Sequence, residues 1–223
     1  MSSRPIYLLA TAVLPGDLAA EAASAGMTLD VLSFIGIEFV EVDAVIPEVA
    51  VFTSVHAVTA VKRWLSGPSP NLRIYCIGGA TYRAVAEAFG ERTAVGTAGS
   101  AGELAELIRD REAGPREEII FFCGDQRREE LPSIGVTVKT VYRTVLTPWK
   151  LERVYDGIAF FSPSAVESFF SVNRIGARVP LFAIGKTTEA SLHARCSNPV
   201  FVASEPDRAV LIHKMIDFFL FEP

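Results

Sequence analysis

Four short stretches carry residue types that suit recognition of negative charge: Thr53-Ser54, Gly78-Gly79-Ala80-Thr81, Ser162-Pro163-Ser164 and Gly185-Lys186-Thr187-Thr188. Each follows an apolar run and opens a helical pattern. Ser and Thr cap helix N-termini, and Pro163 suits a first helical turn. A helix begun this way presents main-chain N–H groups with no partner in the helix, at the positive end of its dipole. The chemistry on offer is the binding of anions. Taken singly, each stretch reads first as an ordinary helix cap; four of them in matched pairs favour a polyanion site. None has the GxxxxGK[ST] or GxGxxG spacing, so nucleotide binding by those routes is unsupported.

Other reactive residues are scattered. His56, His193 and His213 are far apart, and Cys76, Cys123 and Cys196 show no CxxC spacing, so no metal site is expected. Cys76 and Cys123 sit in apolar runs and read as buried, reduced thiols. No Ser/His/Asp or Cys/His set can be assembled, and no cofactor is expected. Glu129 and Glu130 follow Arg127 and Arg128. They form either a solvated helix start with charge pairs or a loop whose arginines meet substrate carboxylates. Trp64 and Trp149 read as packing residues.

The elements that must position these turns alternate in type. Strand candidates are Ile6–Ala10, Leu29–Phe34, Val49–Thr53, Ile74–Ile77, Ile119–Cys123, Gly157–Phe161, Leu181–Ile184 and Val200–Val202. Most are continuous rather than alternating apolar runs, which suits parallel strands buried on both faces. Helical patterns lie between them, as at Ala80–Phe89, Ala101–Arg111, Ser164–Val172 and Thr187–Ala194. Strand-helix alternation implies βαβ units around a parallel sheet. At the carboxyl edge of such a sheet the turns gather, and ligands bind there.

The pattern occurs twice. Residues 51–58 resemble 159–166, residues 74–81 resemble 181–188, and Val95-Gly96 before a helix matches Val202-Ala203, all at offsets of about 107–108. Three ordered matches at one offset predict two similar three-layer α/β domains with parallel sheets, flavodoxin- or Rossmann-like. Residues 36–40 and 138–145 instead alternate apolar and polar side chains, as a half-exposed ladder does. The expected organisation is one discontinuous domain of residues 1–36 and 147–223 and an inserted domain of 41–138. The strands 37–40 and 139–146 link them. Two carboxyl edges facing each other would make a cleft lined with anion-binding amides.

Composition bounds the function. The chain has 223 residues, 50% of them hydrophobic and 21% charged, with a net charge of −5. That is globular composition with no basic surface for nucleic acid. No run approaches the roughly 20 apolar residues of a spanning helix, and the N-terminus lacks the pattern of an export signal. A cytoplasmic monomer without membrane or nucleic-acid partner is expected.

Several of these segments, in order, resemble the uroporphyrinogen-III synthase family. They are Phe52-Thr53-Ser54, Gly78-Gly79-Ala80-Thr81, Ile119 to Asp125 with Arg128-Glu129-Glu130-Leu131-Pro132, Val141-Tyr142-Arg143-Thr144-Val145, Phe160 to Val166, and Ala183 to Thr188. The match runs from about 49 to 210. Family members often carry Thr-Arg-Pro after the first strand, where this chain has Thr11-Ala12-Val13, and often proline where it has Lys186. The first departure removes one carboxylate contact and the second adds one.

The resemblance implies a lyase that closes hydroxymethylbilane, a linear tetrapyrrole with eight carboxylates. Loss of its hydroxyl gives an azafulvene. The substituted carbon of the terminal ring attacks this electrophile to form a spiro intermediate, which fragments and recloses with that ring reversed. The pyrroles supply both nucleophile and electrophile, so catalysis by positioning suffices. The resemblance places Tyr142 at the hinge, either donating a hydrogen bond to the departing hydroxyl or packing there. The Thr53, Gly78, Ser162 and Gly185 turns are its expected substrate contacts. A non-catalytic tetrapyrrole- or solute-binding relative of the same fold is the alternative.

Overall fold

Strands that are buried at every position define the centres of two sheets. β4 (Val49–Phe52), β9 (Gly157–Phe160) and β10 (Leu181–Ala183) have no exposed residue, so both of their faces must be covered. The computed structural model describes residues 4–42, 47–64, 71–112, 118–126 and 130–221. The chain divides into two compact units, one of Met1–Gly36 with Val145–Pro223 and the other of Ile37–Thr144.

The first unit holds β1 (Ile6–Ala10), α1 (Leu18–Ser24), β2 (Met27–Val31), β9, α5 (Pro163–Val172), β10, α6 (Lys186–His193), β11 (Val200–Val202) and α7 (Arg208–Phe221). Its sheet order is β11-β10-β9-β1-β2, and every pairing is parallel. Side chains alternate along each strand. Leu8 and Ala10 face α1 and α7, together with Ala159 and Phe182, whereas Leu9 faces α5 and α6 with Ile158, Phe160 and Leu181. The helices after β1 and β9 thus cover opposite faces, and a topological switch point lies between those two strands.

The second unit holds β4, α2 (Val55–Trp64), β5 (Arg73–Ile77), α3 (Ala80–Phe89), β6 (Ala94–Ala98), α4 (Ala101–Arg111), β7 (Ile119–Gly124) and β8 (Thr137–Leu146), with β3 (Ile35–Phe39) at its edge. The order is β3-β8-β7-β4-β5-β6, with β7-β8, β4-β7, β4-β5 and β5-β6 all parallel. Val49, Val51 and Phe121 meet α4 on one face; Ala50, Phe52 and Phe122 meet α2 on the other. Aligning β4, β5 and β6 with β9, β10 and β11 also aligns β7 with β1 and β8 with β2. The second sheet is the first in a circularly permuted chain order, and its switch point lies between β7 and β4. Where the first unit has α1, the described residues of the second include a 3-10 turn, Pro132–Ile134, with Leu131, Ile134 and Val136 packed on that face.

The bounds of β2 and the place of Trp149 differ from the sequence expectation. β2 begins and ends earlier than Leu29–Phe34, because its register on β1 runs from Ile6↔Met27 to Ala10↔Val31 and β1 stops there. Phe34, although fully buried, lies beyond the strand and packs on Phe169 at 5.2 Å. Trp149 is not a core residue: it is 56% exposed and held by a bond from its indole Nε1 to Ser33 O. No helix among the described residues is long and apolar enough to cross a membrane.

Candidate functional site

All four predicted turns lie at the carboxyl edges of the sheets, directly after β4, β5, β9 and β10. They fall into two kinds. Ser54 and Ser162 follow the central strands and act as caps. The Ser54 hydroxyl accepts the His56 N–H at 3.2 Å, and the Ser162 hydroxyl accepts the Ala165 N–H at 3.1 Å, with Pro163 at the first helical turn. Each serine therefore occupies one amide of its own helix. Gly79 and Gly185 cap α3 and α6 without any side-chain bond. Gly78 is tied back by its N–H to Ala98 O at 2.9 Å, and the Gly185 carbonyl accepts the N–H groups of Thr188 and Glu189.

Side-chain directions restrict what each position can offer. Thr81 and Thr188 hold matching positions in the repeat, and both are buried, at 6% and 1% exposure. Ser164 is buried as well. These three hydroxyls are turned into the fold, so a ligand at the turns meets main-chain N–H groups there. Ala80, Pro163, Lys186 and Thr187 are exposed, and Thr53, Ser54 and Ser162 are half-buried. The Lys186 ammonium pairs with the Glu189 carboxylate at 3.2 Å, one helical turn on. A substrate carboxylate at Lys186 would compete with that pair, which at this exposure contributes little.

Tyr142 sits at the switch point of the six-stranded sheet. Its hydroxyl donates to Ser54 Oγ at 3.1 Å, and the His56 ring meets it edge-on at 5.5 Å. A register shift at the end of β7 places Tyr142 opposite Gly124. A β-carbon on Gly124 would lie 2.5 Å from the tyrosine ring, so only glycine allows this approach. Asp125 fixes the same strand: its N–H donates to Tyr142 O, and its carboxylate accepts the Thr144 N–H. Burial pushes the Tyr142 phenol up from its usual value of 10.0, against the lowering effect of the Ser54 bond. At neutral pH the group is a phenol and a hydrogen-bond donor.

Gly124 and Asp125 both contact Tyr142, a role the sequence does not assign them. Gly124-Asp125 was visible as a motif, but its packing on Tyr142 joins two strands and has no local signature. Arg127, Arg128 and Glu129 lie outside the described residues. Around them, residues 125–126 and 130–131 form bends and turns, and no α-helix starts there among the described residues. The described residues contain no cluster of His, Cys, Asp or Glu suited to a metal.

Comparison with known proteins follows this geometry. The profile of the family described as "Uroporphyrinogen-III synthase HemD" matches residues 16–213. Among solved structures, uroporphyrinogen-III synthetase from Helicobacter pylori superposes with a TM-score of 0.67 at 14% identity, over 96% of this chain and 99% of that one. A mutant uroporphyrinogen III synthase from Thermus thermophilus gives 0.63 at 17% identity, over 98% and 100%. At these identities the structures speak for the fold. No curated protein sequence matches significantly. The family profile spans most of the chain, and the chain belongs to the uroporphyrinogen-III synthase family of tetrapyrrole biosynthesis enzymes.

Proposed function

We propose that this chain acts as a cyclising lyase without a cofactor, holding hydroxymethylbilane by its carboxylates and assisting loss of its hydroxyl through Tyr142. The observation that carries the reading is the phenol of Tyr142, protonated and held by Ser54 at the end of β4, beside the amides that open α2. In this reading the carboxylates bind main-chain N–H groups at the Thr53-Ser54, Gly79-Ala80-Thr81, Ser162-Ser164 and Gly185-Lys186-Thr187 turns, leaving out Gly78 and Thr188, whose N–H groups are bonded to Ala98 O and Gly185 O, and Pro163, which has none. Amides suit the task because they bind anions without adding formal charge to a chain of net charge −5.

The phenol donates to the leaving hydroxyl, which departs as water while the adjacent pyrrole nitrogen supplies electrons to form the azafulvene. Attack by the substituted carbon of the terminal ring, fragmentation of the spiro intermediate and reclosure on the other α-carbon then invert that ring. The proton displaced from that α-carbon returns to the tyrosinate and restores the aromatic ring. The protein's remaining work is to hold one folded conformation of the chain. The same reading has β3 and β8 as a two-stranded linker and the protein as a cytoplasmic monomer without a nucleic-acid partner. The test is incubation with freshly made hydroxymethylbilane after dialysis against chelator, followed by oxidation and separation of isomers. The type III isomer is expected; type I alone, as in the uncatalysed closure, would leave a binding protein of the same fold.

A further inference from the structure

We propose that Arg208 binds a carboxylate of the tetrapyrrole at the carboxyl edge of the five-stranded sheet. The proposal rests on the edge-binding reading above and adds a cation to it. Arg208 is the first residue of α7, and its guanidinium reaches across to the loop after β1, where it donates to Val13 O. Its guanidinium carbon lies 5.9 Å from the centre of the Phe161 ring, and Phe161 immediately precedes the Ser162 turn. The side chain therefore bridges the ends of β1 and β9, the two strands that flank the switch point.

The β1 loop itself supplies no cation and no free hydroxyl. Thr11 is fully buried and its hydroxyl donates to Ala159 O at 2.9 Å, Ala12 is buried, and Val13 is apolar. Arg208 is exposed and has no ion-pair partner among the described residues. Its neighbour Asp207 is engaged in accepting the Ala209 and Val210 N–H groups. A guanidinium has five N–H donors, and the carbonyl of Val13 uses only part of that set. The remainder can take a carboxylate in bidentate geometry. Because a carbonyl and a ring already hold the group, less side-chain freedom is lost on binding. The same carboxylate would lie beside the N–H groups of Ser162 and Ser164.

The test compares Arg208→Met, which keeps an apolar stem on Phe161, with Arg208→Lys. Type III isomer formation from freshly made hydroxymethylbilane is measured at low and high salt, alongside thermal unfolding. The expected result for Arg208→Met is a KM raised about tenfold or more, with kcat nearly unchanged and an unfolding temperature close to that of the wild type. Arg208→Lys should recover part of the loss, and added salt should raise KM less in Arg208→Met than in the wild type. An unchanged KM in Arg208→Met, or a loss confined to thermal stability, overturns the proposal. If the wild type forms the type III isomer while Arg208→Met leaves its KM unchanged, Arg208 alone is excluded. If the wild type gives the type I isomer alone, the reading on which this proposal rests fails.

Discussion

At the switch point of the six-stranded sheet, a tyrosine from β8, the neighbour of the edge strand β3, reaches the ends of β7 and β4. At the matching point of the five-stranded sheet, the outer strand β2 contributes nothing, and a guanidinium arrives from α7 instead. The strand orders are equivalent, and Tyr142 and Val31 lie opposite the last residues of the strands beside them, Gly124 and Ala10, so the difference comes from the residue types placed there. The turn amides belong to the wiring and appear twice. The side chains beside them depend on the residues that each neighbouring element places there, a phenol in one unit and a guanidinium in the other.

The change that should blur the comparison most is Gly124→Ala. Its new methyl would displace the Tyr142 ring, and turnover should fall about 100-fold, since misplacement of a reacting group by about 1 Å costs that much. The loss should be far smaller in a Tyr142→Phe background. Steady-state rates of both single variants and the double variant give the answer, and additive losses would show that Gly124 acts elsewhere.

Tyr142→Phe itself should lower kcat by about one to two powers of ten, with the fold retained. In the proposed mechanism the phenol is the active form, and burial raises its pKa above 10.0, so the rate contributed by this group should stay level from neutral pH to about pH 10 and decline only above it. A pH–rate profile of wild type against Tyr142→Phe checks this; a rate ratio that collapses between pH 7 and 9 would mean a different group donates the proton.

The glycine-capped turns can be told apart by stability. Gly79 has φ 71° and ψ −128°, a conformation that L side chains rarely adopt, whereas Gly185 is extended at φ −176°. No atom lies within 4 Å of a β-carbon added at either site, so backbone strain alone separates them. Gly79→Ala should cost about 1–3 kcal/mol and Gly185→Ala under about 0.5 kcal/mol in urea unfolding. The serine cap of the first unit should have an effect between those of the two glycines. Ser162→Ala should cost about 1 kcal/mol of stability, and its turnover should exceed that of Ser54→Ala, since Ser54 also holds the Tyr142 hydroxyl.

Most of the parallel core was legible because full burial on two faces demands continuous apolar runs. β1, β4, β5, β7, β9, β10 and β11 all lie within a residue or two of the segments read from the sequence. β6 was missed as a strand, since Ala94–Ala98 is an edge strand with a glycine at its centre and little apolar side chain. α1 was missed because seven residues, four of them alanine, carry almost no periodicity. The four turns were visible because capping is local chemistry. The companions of Tyr142 and the placement of Arg208 were not: Gly124 meets Tyr142 across two strands, and Arg208 meets Val13 across 195 positions of chain.

The permuted order of the two sheets also dictates when each can close during synthesis. β1 emerges first, but its central partner β9 is roughly 150 positions behind it, with Leu8 opposite Gly157. Until then β1 has only β2, a two-stranded parallel pair too small to stand alone. The inserted unit has all of its strands once β8 has left the ribosome, and domains generally fold as units during translation. The middle of the chain can therefore become native while both ends of the first sheet are still waiting. The late step joins β1 to β9, a contact of long sequence separation and correspondingly slow formation.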